Sequence, residues 1–254
     1  MKGNPFLGAR YWLSGLSSLT QPGLRRYVAL PLLLNIVLLS AGTWWGVQAL
    51  DDATEWIVSS LPSWLEWLYW ILMPLMVLAF MLVMAYFFSA VLMLIASPFN
   101  GLLSEKVEVQ AGGQVPDEDI WPMVWRTLGR ELTKMAYYLP RYFLLFIITL
   151  IPVVNVVSPL LWFLFGSWVL GLQYLDYSYD NHGVSFKQMR QQLAQRRITV
   201  MGLGAVVSVT LLVPILNWFV MSAAVIGATR LRMQHFTLPA SQPSVGYAVK
   251  SSDG

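Results

Sequence analysis

Long uncharged runs separated by short polar stretches dominate the chain. Tyr27 to Leu50 is 24 residues without a charge, enough for a helix that crosses a bilayer, which needs about 20 apolar residues. Trp67 to Ser104 gives 38 more, about 57 Å as one helix against roughly 30 Å of hydrocarbon. That run must tilt, break or project, and Pro74 and Ser97-Pro98-Phe99-Asn100-Gly101 mark the expected interruptions, leaving Leu75 to Ala96 as the second crossing. Two later runs, Tyr142 to Leu175 and Ile198 to Thr229, are cut by Pro152 and Pro159 and by Pro214. Their arms are too short to span, and a shared Pro-apolar-apolar-Asn tip (Pro152 to Asn155, Pro214 to Asn217) predicts two related, partly penetrating helical hairpins. Freed backbone groups at these tips must be buried in protein or face water, with Asn155 and Asn217 as candidate caps.

Amphipathic segments complete the plan. Phe6, Leu7, Tyr11, Trp12, Leu13 and Leu16 predict an interfacial helix within 1–20. Trp121, Val124, Trp125, Leu128, Leu132 and Met135 predict another over 118–140, with Asp117, Glu118 and Asp119 suited to its first turn. Arg126, Arg130 and Lys134 repeat every four residues beside that face, next to Glu131. This basic row rests on anionic headgroups or lines an entrance for an anion. In the loop between hairpins, Asp180, Asn181 and Gly183 read as a turn and Ser185 with Gln188 as a capping box. Asp176 and Asp180 are candidates to pair with Arg130 or Arg190.

The expected fold is therefore all-α and membrane-integral. It has a first span over 22–50, an outer loop over 51–66, a second span over 67–111, hairpins over 142–175 and 198–231, and a disordered tail over 235–254. Composition agrees, with 57% hydrophobic and 11% charged residues against a usual charged share of about 25%. The loop from Asp51 to Glu66 has four acids and no lysine or arginine, and half of the 12 tryptophans bracket it. If both Pro-broken regions are hairpins, all 16 lysines and arginines fall on the cytoplasmic side, as the positive-inside rule favours. The net charge of +3 is spread between apolar runs rather than forming a nucleic-acid patch. There is no cysteine, so the redox compartment cannot be read.

Chemistry is sparse. The two histidines, His182 and His235, form no zinc motif, no catalytic triad can be assembled, and no phosphate-binding loop for ATP exists. The sequence predicts no enzyme, no cofactor and no metal. What remains is Gln21-Pro22-Gly23-Leu24-Arg25-Arg26 at the start of the first span. Unpaired N–H groups, the positive end of the helix dipole and two guanidinium forks suit a multiply charged oxyanion, although two arginines are also the ordinary basic flank of a membrane helix.

The motifs Gln21 to Arg26, Ser97 to Glu105, Tyr138-Leu139-Pro140-Arg141, Trp162-Phe163-Leu164-Phe165 and Gln173 to Tyr177 with Asp180-Asn181-His182 together resemble the bacterial CysZ sulfate permeases, over about Gly15 to Leu231. The resemblance implies an inner-membrane, multi-pass protein that admits sulfate for cysteine synthesis without an ATPase subunit, as a homo-oligomer among membrane lipids. It implies sulfate binding at Gly23, Leu24, Arg25 and Arg26. It also raises protomers inserted in opposite orientations, against which the one-sided arginine count argues. Glu105, Arg130, Glu131, Asp180 and His182 are expected to border the route. The competing expectations are a membrane subunit that senses sulfate without moving it, and a permease for another oxyanion.

Overall fold

The computed structural model describes residues 3–60, 62, 67–116 and 119–238. Among them there are helices and turns and no strand. The helices are α1 (Pro5–Leu16), α2 (Arg25–Ser60), α3 (Tyr69–Gln110), α4 (Ile120–Thr149), α5 (Ser158–Asp180), α6 (Phe186–Ala194), α7 (Arg197–Thr210) and α8 (Pro214–His235). Two compact units share these helices, residues 29–96 forming one and residues 1–28 with 97–254 the other.

The smaller unit is an antiparallel pair made from α2 and α3. Thr54 Oγ1 donates to Met73 Sδ over 3.4 Å, and Gly46 lets the Phe80 ring press on its backbone. Its outward side chains are large and apolar, including Val37, Trp44, Trp45, Trp56, Trp70 and Leu82, all more than half exposed. Two expectations are corrected here. The acidic stretch after the first run is not a loop from its start, because α2 carries Asp51, Asp52 and Glu55 within the helix to Ser60. Residues 61 and 63–66 of that expected loop lie outside the described residues. Nor does Pro74 or Pro98 break α3, which runs from Tyr69 through both to Gln110. A proline removes one helix hydrogen bond, yet neighbours beyond Pro98 hold the chain helical. Asn100 Nδ2 donates to the Tyr177 hydroxyl over 3.3 Å, Asn181 Nδ2 donates to the Gly101 carbonyl over 3.0 Å, and Leu103, Ser104 and Val107 are buried.

The larger unit is held by close helix crossings at small residues. A Cβ on Gly204 of α7 would lie 1.8 Å from the Ser167 carbonyl of α5, and one on Gly15 of α1 would lie 2.0 Å from the Ala223 carbonyl of α8. Such backbone approach is how apolar helices gain packing energy where lipid removes the hydrophobic drive. Leu172, Leu175, Val200, Leu203, Val207, Ala224 and Ile226 fill the resulting core. The N-terminal helix is part of it. Gly8, Trp12 and Gly15 of α1 are buried, Gly8 against α7 and Gly15 against α8, while Phe6 and Leu13 stay exposed.

The helix expected over 118–140 and the first hairpin arm are one element, α4, because Pro140 is absorbed within it. Asp119 stands at its N-cap position without a side-chain cap, and Asp117 and Glu118 lie outside the described residues. Breaks occur where the prolines predict them, at residues 150–157 and 211–213. The two tips differ in build, however. Pro159 and Pro214 each stand in the first turn of the helix that follows, so Pro159 rather than Pro152 is the counterpart of Pro214. Asn155 accepts from the Ser158 hydroxyl through both its carbonyl and Oδ1, at 2.8 and 3.2 Å. Asn217 caps nothing among the described residues, its backbone N–H serving the Val213 carbonyl within the helix. Both tips expose apolar side chains, with Val153, Val156 and Leu212 at 80% or more. The expectation that the first hairpin's arms are too short to span is corrected for the second arm, because the helix continues past Leu175: Val154–Asp180 is apolar and long enough to cross a membrane, and 22% of its most apolar window is buried within the chain. The expected tail begins later than predicted, since α8 includes His235 and Phe236 is buried; residues 239–254 lie outside the described residues.

Candidate functional site

The stretch Gln21–Arg26 turns the chain from α1 into α2. Gly23 holds φ +89°, a left-handed conformation that strains any residue with a Cβ. A Cβ there would also lie 2.6 Å from Nε2 of Gln110, which donates to the Pro22 carbonyl over 3.2 Å. Leu24 is fully buried and anchors the turn, whereas Arg25 and Arg26 are exposed. Among the described residues, neither arginine has an acidic partner. The sequence expectation of several unpaired amides is corrected in part. The Gln21 carbonyl takes the Leu24 and Arg25 N–H groups, at 3.1 and 3.3 Å, because Gly23 lets the chain fold back into a turn before the helix begins. The donors left open at this turn are therefore chiefly the two guanidinium side chains, at the positive end of the helix dipole.

The basic row of α4 is engaged by carboxylates of α5 and of its own helix. Arg130 forks onto Asp176 of α5, with Nε and Nη2 at 2.9 and 2.6 Å from Oδ1, and its Nη1 donates to the Val184 carbonyl over 2.6 Å. Lys134 Nζ sits 2.6 Å from Glu131 Oε1 and 3.0 Å from Asp176 Oδ2. Arg126 pairs with Asp180, which also accepts from Thr127 Oγ1 over 3.3 Å. Burial alone would lower the Lys134 ammonium, but Asp176, Tyr177 and Glu131 reverse that and hold it above the ordinary lysine range. The expected partner of the aspartates is thus Arg130. Arg190 instead lies over the Tyr137 ring, 4.3 Å from its centroid.

A second cluster forms around Glu108, a residue that no motif in the sequence singles out. One carboxylate oxygen lies 2.7 Å from His182 Nε2. The other meets Arg232 of α8 and Ser178 Oγ, the latter at 3.4 Å. Arg232 Nε donates in turn to Ser178 Oγ over 2.8 Å. Burial would raise the Glu108 carboxyl, but hydrogen bonds from His182 and Arg232 and the Arg232 charge hold it below the usual carboxylate range.

Of the residues expected to border a route, Arg130, Glu131 and Asp180 fall in the first cluster and His182 in the second. Glu105 lines a cleft of about 40 Å³ with Leu102, Met123, Arg126 and Asn181. The first cluster carried a readable signal, because Arg126, Arg130 and Lys134 match Asp176 and Asp180 as opposite charges at four-residue spacing. Antiparallel helices bring two such rows face to face. No comparable pattern links Glu108 to Arg232.

Residues 11–222 match the model of the family described as sulfate transporter CysZ/etoposide-induced protein 2.4. A relative from Pectobacterium atrosepticum named sulfate transporter CysZ is 44% identical over 246 residues, covering 93% of this chain and 90% of its own length. With the left-handed Gly23, the paired arginines and the all-helical architecture already in place, these matches decide the assignment: the chain belongs to the sulfate transporter CysZ/etoposide-induced protein 2.4 family.

Proposed function

We propose that this protein admits sulfate across the bacterial inner membrane to supply cysteine synthesis, passively or coupled to an ion gradient and without ATP hydrolysis. The observation that carries the proposal is the Gly23–Arg26 turn, where two exposed arginines without acidic partners among the described residues open a long helix. It occurs in a chain 44% identical to a protein named as a sulfate transporter. Sulfate is costly to dehydrate, so its site must replace water with N–H donors and positive charge while letting the ion leave. Arg25 and Arg26 capture the ion near the cytoplasmic interface. Glu105, Arg130, Glu131, Asp180 and His182 flank its route as fixed charges. Arg130, Glu131 and Asp180 are committed to one another or to close neighbours, so they border the passage rather than carry the anion.

In this reading α2 and α3 cross the membrane as two long helices, and the α4–α5 and α7–α8 tips enter it from the cytoplasmic side. Exposed apolar side chains along the α2–α3 pair and at both tips support that placement, since they are costly in water and at ease in lipid. Homo-oligomers embedded in lipid complete the reading.

Radiolabelled sulfate uptake into liposomes containing only this protein, with and without a pH gradient, tests it. The expected result is uptake by the wild type and none by the variant Arg25→Ala with Arg26→Ala. Binding without uptake would move the protein to a sensing subunit, and preference for thiosulfate or phosphate to another oxyanion permease.

A further inference from the structure

Arg230 of α8, only partly buried, differs from the paired cations of the larger unit. Arg130, Lys134 and Arg232 all meet carboxylates. Arg230, among the described residues, meets only neutral oxygens. Its Nη1 donates to the Ser14 carbonyl over 3.2 Å and to Ser18 Oγ over 2.8 Å, and its Nη2 donates to Gln21 Oε1 over 3.3 Å. A guanidinium has more N–H donors than these three bonds use.

The acceptors lie at the end of α1 and in the turn after it, and Gln21 is two residues before Gly23. Ser18 is 2% exposed and is further tied by its hydroxyl to the Ser14 carbonyl over 2.8 Å. The same turn is also held by Gln110 of α3, which donates to the Pro22 carbonyl. The turn leading into Arg25 is therefore gripped from two other helices. From α8, the grip comes from a side chain whose positive charge no acid among the described residues pairs with.

We propose that Arg230 is a positioning residue for sulfate capture, holding the α1–α2 turn in its binding shape and adding its field to those of Arg25 and Arg26. The inference rests on the reading of Gly23–Arg26 as the sulfate site. A turn already held in its bound shape loses less conformational entropy when the ion arrives, and an uncancelled charge nearby raises the local concentration of a dianion.

The test is equilibrium binding of radiolabelled sulfate to the purified full-length protein, fitting affinity and site number separately, with thermal unfolding recorded for each variant without sulfate. Arg230→Gln is expected to weaken affinity about tenfold, a change equivalent to about 1.4 kcal/mol, with an unchanged number of sites. Arg230→Lys keeps the charge but not the fork, so it is expected to fall between the two, and it serves as the second variant if Arg230→Gln does not fold. A folded Arg230 variant with wild-type affinity overturns the inference, as does one that loses sites while the remainder bind normally, because that is the signature of a structural role alone. Arg25→Ala with Arg26→Ala, run in parallel, separates the two readings. If that variant loses binding and Arg230→Gln does not, only the role of Arg230 fails. If the wild type does not bind, or the double variant binds normally, the sulfate site fails and this inference with it.

Discussion

Replacing Asp176 by Asn should destabilise this protein more than any other single charge removal on α5. Asp176 is 1% exposed, with an Arg130 nitrogen at 2.6 Å and Lys134 Nζ at 3.0 Å. With an effective dielectric of about 20, the attractions are roughly 6 and 5.5 kcal/mol before desolvation is charged against them. Asn keeps the shape and one acceptor oxygen but removes the charge, leaving two largely buried cations to find other partners. Lys134 retains Glu131 at 2.6 Å, and Arg130 retains Asp180 at 3.4 Å and the Val184 carbonyl. The net loss should therefore fall near the cost of breaking a buried pair, about 3–5 kcal/mol, rather than near the gross sum. Asp180→Asn should cost less, about 1–2 kcal/mol, because its Arg126 partner is 26% exposed and water can replace much of the lost interaction. Unfolding in mixed micelles by SDS titration, followed by helical circular dichroism, reads both values. A loss under about 1 kcal/mol for Asp176→Asn, or a larger loss for Asp180→Asn, would refute the claim that these charges are held in low dielectric.

The small-residue crossings give a matched comparison. Gly204→Ala would drive a Cβ to 1.8 Å from the Ser167 carbonyl and should cost at least about 1–3 kcal/mol, because a backbone atom cannot turn aside. Gly129→Ala, at an exposed position of α4, meets nothing within 4 Å and should gain about 0.5–1 kcal/mol from helix propensity; the same SDS titration checks both. Acid should loosen the Glu108 cluster. A carboxyl whose folded value is depressed contributes stability that is present above its unfolded value and lost as the pH falls through the folded one. Wild-type melting temperature should therefore drop below about pH 4.3, and its advantage over Glu108→Gln should shrink with it. A wild-type advantage that stays constant from pH 7 to pH 3 would remove Glu108 from that account.

Local signals were legible wherever one residue type acts on its own neighbours. Pro152, Pro159 and Pro214 lie at or beside the breaks they predict, because a proline removes a donor whatever surrounds it. The Ser185–Gln188 capping box is present in both directions, with the serine accepting the Gln188 amide and the glutamine accepting the Ser185 amide. Pro98 shows the limit. The same local argument predicts a break that α3 does not make, and the residues that keep it helical, Tyr177 and Asn181, come from α5 and the turn after it.

The sequence by itself determined that this is a helical chain suited to lipid, since uncharged runs of 24 and 38 residues have no comfortable place in water whatever their packing. It also singled out Gly23 to Arg26 as the candidate place for an anion, because a glycine before two arginines at a helix start puts donors and positive charge together locally. Only the tertiary structure decided which cations are free to act. Arg130 and Lys134 look as available in the sequence as Arg25 and Arg26, and they lose that availability because α5 returns antiparallel to α4 with two aspartates in register. Arg230 looks like any basic residue near a helix end until α8 brings it against Ser18 and Gln21. A charge is fixed by the residue that carries it, but whether that charge is cancelled depends on which distant helix folds beside it.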